Sequence, residues 1–252
     1  MNAYSGIAPY YDGLNPYCPY GEYAGFIENC KKRYGSADGN SYIDFACGTG
    51  SMSVLMAQKG YKVTAFDISD EELTVADKKA RDMGLSVTYL KSDMRTFSGS
   101  RGYTFGACCM DGVNYLQKKN DIAMFFNCAY NCLEDGGVFV FDVNTKYRFE
   151  NLYAQRDYIL ESEKALLAWQ NDYDPAKRRC RFYLSLFAAD SNGTYRRIDE
   201  THTEYCHSDR TLKAAAKDAG FELCGIFGGT GFEEYTDTSE KAYYVLRKTA
   251  KR

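Results

Sequence analysis

The feature that most constrains the fold is residues 42–51, a short apolar run that ends in a glycine-rich turn. A second apolar run follows directly at residues 52–57, so the order predicts a strand, a tight turn and a helix. Gly48 and Gly50 let the backbone turn sharply and let a ligand approach bare main chain. The first N–H groups of the helix would face that ligand, with the carboxylate of Asp44 beside it. This stretch therefore predicts a nucleotide-type site.

The turn is incomplete as a dinucleotide fingerprint, because G-x-G-x-x-G requires glycine where this chain has Ser53. The stronger signal is that two more predicted strands, residues 61–66 and 87–91, also lead into acids, Asp67 and Asp93. An acid at the first place can accept both ribose hydroxyls, and one at the second can accept from an adenine amino group. Parallel strands end along one edge of a sheet, where open α/β folds bind ligands.

Strands and helices alternate as far as residue 143, which predicts right-handed crossovers and a parallel sheet. Residues 1–19 predict an irregular arm and residues 20–34 a helix. From about 157 to 206 strand follows strand, with turn signals between them, which predicts an antiparallel meander. A helix and a terminal pair of strands then complete the sheet.

Composition argues against several classes of protein. The net charge is -3 over 252 residues, without the basic face that nucleic-acid binding requires. No apolar run approaches the length of a membrane helix, and the N-terminus lacks the blocks of a signal peptide. Most of the ten cysteines lie in apolar patterns, so we expect free thiols. We expect a cytoplasmic protein, monomeric or homodimeric, without a nucleic-acid or membrane partner.

The glycine turn and the three acids resemble class I S-adenosylmethionine-dependent methyltransferases, over nearly the whole chain. The resemblance implies that the turn wraps the methionine end of the cofactor, Asp67 binds its ribose, and Asp93 recognises its adenine. The alternative is that the acids only cap helices or end strands. The cofactor-binding residues implied are Tyr11, Asp44, Ala46, Gly48, Gly50, Asp67, Ile68, Asp93, Met94 and Met110.

The implied fold is α/β, Rossmann-like, with a seven-stranded mixed sheet flanked by helices and an inserted antiparallel β-meander. We expect the lid arm and the cofactor-binding part in residues 1–145. A substrate-covering insert would occupy residues 146–207, and residues 208–252 would complete the Rossmann-like sheet.

The acceptor side carries fewer signals. The segment after the fourth strand is not the Asn/Asp-Pro-Pro-aromatic loop of nucleobase methyltransferases, and the chain shows no carboxylate-and-histidine cluster for a metal. The arm at residues 4–12 and the stretch at 199–202 resemble those of bacterial N,N-dimethyltransferases of nucleotide-linked amino sugars, and the insert also resembles an uncharacterised bacterial methyltransferase group. The resemblance implies acceptor-side roles for Tyr4, Tyr115 and His202, although Tyr115 stands where the sugar enzymes carry histidine.

Each acceptor-side residue has a simpler interpretation. His202 would lie on a solvated strand face, Tyr115 would be a core residue, and Tyr4 would belong to a disordered arm.

The sequence thus predicts a metal-independent enzyme that uses S-adenosylmethionine, forms S-adenosylhomocysteine, and methylates nitrogen or oxygen of a small-molecule acceptor. Two alternatives remain. One is a protein that binds either form of the cofactor without catalysis. The other is an NAD-dependent oxidoreductase, which Ser53 and Asp93 disfavour.

Overall fold

The structure is a computed structural model that describes residues 6–250. Its helices are α1 Ala8–Leu14, α2 Tyr20–Tyr34, α3 Ser51–Gln58, α4 Asp70–Asp82, α5 Lys119–Cys132, α6 Lys146–Arg148 and α7 Asp209–Ala219, with a 3-10 turn at Gly112–Tyr115 and a π-helical turn at Phe149–Tyr153. Its strands are β1 Ser41–Phe45, β2 Lys62–Asp67, β3 Val87–Lys91, β4 Tyr103–Cys108, β5 Leu133–Asn144, β6 Tyr158–Glu161, β7 Ala165–Asp174, β8 Arg179–Ala189, β9 Tyr195–Tyr205, β10 Phe221–Phe227 and β11 Lys241–Lys248.

The main sheet has seven strands in the order β10-β11-β5-β4-β1-β2-β3. Strands β5, β4, β1, β2 and β3 run parallel, while β11 is antiparallel to β5 and β10. The chain passes from β1 to β2 and β3 on one side and returns to β4 on the other. The strand order therefore reverses between β1 and β4, which is where open α/β sheets bind ligands. The predicted seven-stranded mixed sheet is confirmed.

Helices cover both faces of this sheet. On one face α5 and α7 bury Phe125, Phe126 and Leu212 against strand residues such as Phe139. On the other face α2 and α3 bury side chains that include Phe26 against the strands. All six residues of β4 are buried, as expected for a central parallel strand with a helical layer on each side.

The insert forms its own antiparallel sheet of four strands in the order β6-β7-β8-β9. The predicted antiparallel meander is confirmed, and β6 is its short edge strand. Its core joins the insert to the N-terminal arm, because Ile7 and Leu14 pack in one cluster with Phe149 and Phe182.

The prediction of an irregular arm is wrong at α1, which is helical with proline near its first turn. A seven-residue helix gains little from propensity alone, and packing on the insert stabilises it. Strand β5 begins at Leu133, and its pairing with β4 shifts between Tyr103 and Phe105. The ten cysteines are free thiols in the structure. The division at residues 145 and 207 stays a proposal, which the end of β5 and the start of α7 make reasonable.

Candidate active site

A cleft lies at the point where the strand order reverses. Its cavity volume is about 390 Å³, within the range of small-molecule and cofactor sites. The residues that line it come from the arm, from the ends of β1 and β2, from the turns after β1, β2, β3 and β4, and from the first turns of α2, α3, α4 and α5. They are Tyr11, Tyr20, Asp44, Ala46, Cys47, Gly48, Thr49, Ser51, Met52, Asp67, Ile68, Glu72, Ser92, Asp93, Met94, Arg95, Cys109, Met110, Gly112, Tyr115, Leu116, Gln117 and Asp121.

The sequence predictions meet in this cleft. Every predicted cofactor residue except Gly50 lines it, and so does the acceptor-side residue Tyr115. His202 lies behind Tyr115 rather than on the wall. Tyr4 lies outside the described residues.

Gly50 acts through the backbone below the cleft. It is the N-cap of α3 and has a φ of 73°, in the left-handed region that glycine adopts without strain. A Cβ at this position would lie 2.6 Å from the hydroxyl of Tyr89 and 2.7 Å from the Cβ of Ala76. The turn can therefore sit against β3 and α4 only because this residue has no side chain.

Asp44 is held by its own chain. It is only 1% exposed, and its carboxylate accepts hydrogen bonds from Ser53 Oγ at 2.5 Å and Tyr42 Oη at 3.4 Å. Burial raises the pKa of Asp44 to about 7, although both hydroxyls stabilise the charged form. The residue that breaks the dinucleotide fingerprint, Ser53, thus has a purpose here: it fixes the acid at the end of β1.

Asp67 connects the glycine turn to the start of α4. Its carboxylate accepts from the backbone N–H of Gly48 at 3.0 Å and from that of Ser69 at 2.9 Å. Burial raises the pKa of Asp67, against these hydrogen bonds. The side chain therefore sets the distance between two loops while it faces the cleft.

Asp93 is paired with a residue that the sequence analysis missed. Arg95 donates from Nε to both carboxylate oxygens of Asp93 at 2.9 and 3.0 Å, and from Nη1 to Asp121 at 3.2 Å. These hydrogen bonds lower the pKa of Asp93, so it is ionised at neutral pH. The spacing Asp93-x-Arg95 was visible in the sequence, but Asp121 is brought here only by the fold.

Glu72 is the second residue that was missed. The sequence Ser69-Asp70-Glu71-Glu72 predicts a capping box, and only half of it forms: Ser69 Oγ accepts from the N–H of Glu72 at 3.2 Å. The return bond is absent because Asp67 already accepts from the N–H of Ser69. The Glu72 carboxylate instead lines the cleft, 3% exposed, and its Oε2 has no hydrogen-bond partner among the described residues.

Two turns beside the cleft hold strained backbone. Ala46 after β1 and Met110 and Asp111 after β4 have φ between 51° and 57°, a conformation that costs non-glycine residues roughly 1–2 kcal/mol each. The Asp142 carboxylate accepts from the N–H groups of Met110 at 2.7 Å and Asp111 at 3.2 Å. Lys241 in turn pairs with Asp142 at 2.6 Å and Asp111 at 2.7 Å. A buried ion network thus holds Met110 against the cleft.

The arm closes one side of the cleft. Asp12 in α1 accepts from Thr49 Oγ1 at 2.7 Å and pairs with Lys79 of α4 at 2.6 Å. Cys18, on the segment that follows α1, contacts the sulfur of Met110 at 3.8 Å. Since Thr49 belongs to the glycine turn, Asp12 joins the arm directly to the part of the chain that would bind a ligand.

The acceptor-side residues form a chain of polar contacts. Tyr115 Oη is 3.4 Å from His202 Nδ1, and His202 Nε2 is 2.8 Å from Glu200 Oε2. The other oxygen of Glu200 accepts from the N–H of Gly6 at 2.6 Å and of Ile7 at 3.2 Å. In a neutral ring, Nε2 carries the proton toward the carboxylate and Nδ1 accepts from the tyrosine. The insert, the arm and Tyr115 are therefore linked through one histidine.

The expectation of a solvated face for His202 is wrong, because His202 and Glu204 are each 3% exposed. Glu204 accepts from Asn144 Nδ2 at 2.8 Å, at the contact between the insert and β5. Tyr115 is half-buried on the cleft wall and is therefore not a pure core residue.

Within residues 6–250, no group of three or more His, Cys, Asp or Glu side chains is arranged to hold a metal ion. None of the helices between these limits is long and apolar enough to cross a membrane.

The comparisons with known proteins agree with this geometry. A methyltransferase-domain family matches residues 43–137. YqeM of Bacillus subtilis, named as a methyltransferase, is 28% identical over 247 residues, which is 98% of this chain and 97% of the relative. An S-adenosylmethionine-dependent methyltransferase from Clostridium acetobutylicum has a similar structure, with a TM-score of 0.85 and 26% identity over 99% of this chain and 100% of that one. Together these matches support the identification of the chain as a class I S-adenosylmethionine-dependent methyltransferase, with the family match itself confined to residues 43–137.

A third comparison concerns the fold of the whole methyltransferase, insert included. The sugar N-methyltransferase KedS8 from Streptoalloteichus has a TM-score of 0.79 and 16% identity, over 99% of this chain and 96% of that one. At this identity the likeness shows the fold alone.

The cleft residues fit S-adenosylmethionine, the cofactor of the methyltransferase structure to which the chain is similar. Gly48 presents backbone without a side chain, as close approach of a ligand requires. The buried Oε2 of Glu72 can accept a hydrogen bond from a ligand. The cleft acids Asp44, Asp67 and Glu72 also favour a ligand that carries positive charge.

Proposed function

We propose that the protein transfers a methyl group from S-adenosylmethionine to nitrogen or oxygen of a small-molecule acceptor. The observation that carries the proposal is the cleft itself: it lies at the strand-order reversal, and the arm and Tyr115 border it. The insert stands directly behind Tyr115 through His202. This arrangement supports a small acceptor that enters between the arm, the insert and the cofactor.

We assign cofactor roles to the residues that line the cleft. The turn from Asp44 to Gly50, with Ala46 and Gly48 on its surface, would hold the methionine end. Asp67 would accept from the ribose hydroxyls, and Ile68, which is 47% exposed, would offer its side chain to the adenine. Asp93 and Met94 would border the adenine edge, and Tyr11 and Met110 would close the other side of the cleft.

On the acceptor side, Tyr115 lines the cleft, and its hydroxyl meets His202. When bound, S-adenosylmethionine supplies a methyl group activated on a sulfonium, so the protein's task is mainly to orient the acceptor and receive one proton. His202 and Glu200 fix the direction of the Tyr115 hydroxyl and act as positioning residues. An amine acceptor needs only a modest base, and this polar chain suits it. Tyr4 stays a candidate from the resemblance.

Calorimetric titration with S-adenosylmethionine, S-adenosylhomocysteine and NAD tests the cofactor. We expect saturable binding of the first two and none of NAD, since the cleft lacks the third glycine of a dinucleotide site. Binding of NAD alone would contradict the assignment of the acids.

The acceptor is tested with a cofactor labelled in its methyl group and panels of small amines and small hydroxyl compounds. We expect label to transfer to one panel, with a mass gain of one methylene in the product. Tight cofactor binding without transfer to any acceptor would favour a binding protein without catalysis.

A further inference from the structure

A buried carboxylate without a partner is the least explained group in the cleft. Glu72 is on the first turn of α4 with its backbone N–H already donated to Ser69 Oγ. Its side chain lies beside the glycine turn, since a Cβ on Gly48 would be 3.4 Å from Oε2. A buried acceptor that lacks a donor is costly, and such groups in native structures call for an explanation.

The electrostatic surroundings of Glu72 are mostly acidic. Asp67 of β2, Asp12 of α1 and Glu200 of β9 each disfavour a negative charge at this position, and Lys79 of α4 favours it. Lys79 is 2.6 Å from Asp12, so its charge is already engaged by another carboxylate. The thiol of Cys47 is close as well and offers no positive charge. The cation that favours the charged form of Glu72, Lys79, is thus shared with Asp12.

We propose that Glu72 is a further cofactor ligand, whose Oε2 accepts from an N–H or O–H group of S-adenosylmethionine and which gives up a proton when the cationic cofactor binds. This inference rests on the proposed function. It adds a residue on α4 to a site otherwise built from strand ends and turns, and it gives that residue a role in distinguishing the methyl donor from its product.

The protonation state follows from the surroundings. Burial, and after it the charges of Asp67, Asp12 and Glu200, together raise the pKa of Glu72 to about 8. The carboxyl is therefore mostly protonated at neutral pH in the free protein. A ligand that brings positive charge lowers this pKa, because an opposite charge favours the ionised form. Binding then releases a proton, and affinity increases with pH up to about 8.

The methyl donor and its product differ in charge. S-adenosylmethionine carries the sulfonium charge, and S-adenosylhomocysteine has lost it with the methyl group. The cleft with Glu72 ionised therefore prefers the donor, and the preference grows as pH rises from 6 to 8. Asp44, with a pKa raised by burial to about 7, adds to the pH dependence, but Ser53 and Tyr42 already hydrogen-bond its carboxylate.

The test is titration calorimetry with both ligands at pH 6, 7 and 8, each in two buffers of different ionisation enthalpy. The variants are Glu72→Gln, which keeps shape and removes the charge, and Glu71→Gln as the matched control on the exposed side of the same turn. For the wild type we expect proton release with S-adenosylmethionine and up to about tenfold tighter binding per pH unit for each proton released. Glu72→Gln should release about one proton fewer on binding S-adenosylmethionine. The difference between its affinities for S-adenosylmethionine and S-adenosylhomocysteine should also be smaller. Glu71→Gln should behave as wild type.

Two results would overturn the inference. One is that Glu72→Gln releases as many protons as the wild type when S-adenosylmethionine binds. The other is that Glu71→Gln loses as much proton release as Glu72→Gln does. Failure of the wild type to bind either ligand would instead overturn the proposed function, so the two failures are distinguishable.

A second measurement needs no cofactor. Since the folded pKa of Glu72 is raised above its unfolded value, the folded protein binds more protons, and this carboxyl lowers stability as pH rises toward about 8. In thermal melts of the free protein, we expect Glu72→Gln to have a higher melting temperature than the wild type at pH 8. At pH 5 we expect the two melting temperatures to be equal. Equal shifts at both pH values would mean that Glu72 is already ionised in the free protein.

Discussion

The replacement Gly50→Ala tests whether the turn is held by close packing. The new Cβ would lie 2.6 Å from the Tyr89 hydroxyl and 2.7 Å from the Cβ of Ala76, at a φ of 73°. The left-handed backbone costs alanine roughly 1–2 kcal/mol, and overpacking adds roughly 1–3 kcal/mol. We therefore expect a loss of about 2–5 kcal/mol in the free energy of unfolding.

A control separates strain from packing. Gly60 has a φ of +87° and nothing within 4 Å of an added Cβ, so Gly60→Ala carries the backbone strain alone. In urea unfolding followed by circular dichroism, the free energy of unfolding of Gly50→Ala should be lower than that of Gly60→Ala by roughly the overpacking cost of 1–3 kcal/mol. The double variant Gly50→Ala/Tyr89→Phe removes the hydroxyl contact and should recover part of that difference.

The result that refutes the reasoning is equal midpoints for the Gly50 and Gly60 variants. The turn would then have room for a methyl group, and the position would need glycine only for its backbone angle. A recovery in the double variant that merely equals the effect of Tyr89→Phe alone would likewise show that the two residues do not interact.

Three further replacements test the supports of the cleft. Asp12→Asn removes the ion pair to α4 and should speed chymotryptic cleavage in α1 and weaken cofactor binding by roughly 0.5–1.5 kcal/mol, whereas exposed Asp38→Asn should do neither. Lys241→Met leaves buried carboxylates unpaired and should cost roughly 3–5 kcal/mol in urea unfolding; a cost no larger than that of exposed Lys213→Met would mean that the network contributes nothing. Tyr115→Phe should lower kcat and leave cofactor affinity unchanged, and a normal kcat would remove the hydroxyl from the acceptor site.

The sequence predicted the sheet and its acids because both follow from local rules. Parallel strands buried on both faces are apolar throughout, and their ends must meet at one edge. Asp44, Asp67 and Asp93 each lie at or just beyond the carboxyl end of a parallel strand, so the chain order alone placed them together. The fold could therefore be predicted without knowing where individual side chains point.

The rest depended on contacts between distant parts of the chain. Helix α1 was not visible because packing with Phe149 and Phe182 stabilises it, and seven residues carry little helical signal. Glu72 was assigned to a capping box, yet Asp67, five residues earlier, accepts from the N–H group that the box would use. A choice between two acceptors for one donor is made by tertiary geometry, which the sequence pattern does not contain.

The unfavourable features of the molecule gather around the cleft. Ala46 and Met110 are strained, and Asp44 and Glu72 are buried acids whose pKa values are raised. None of these features helps the free chain fold, and the apolar layers on both faces of the sheet must offset them. On the proposed function, a cationic ligand would remove part of the cost of the two acids, because it would favour their ionised forms and donate to the open acceptor. The acids that lower the stability of the free protein would then strengthen binding, as expected where buried charge persists at a functional site.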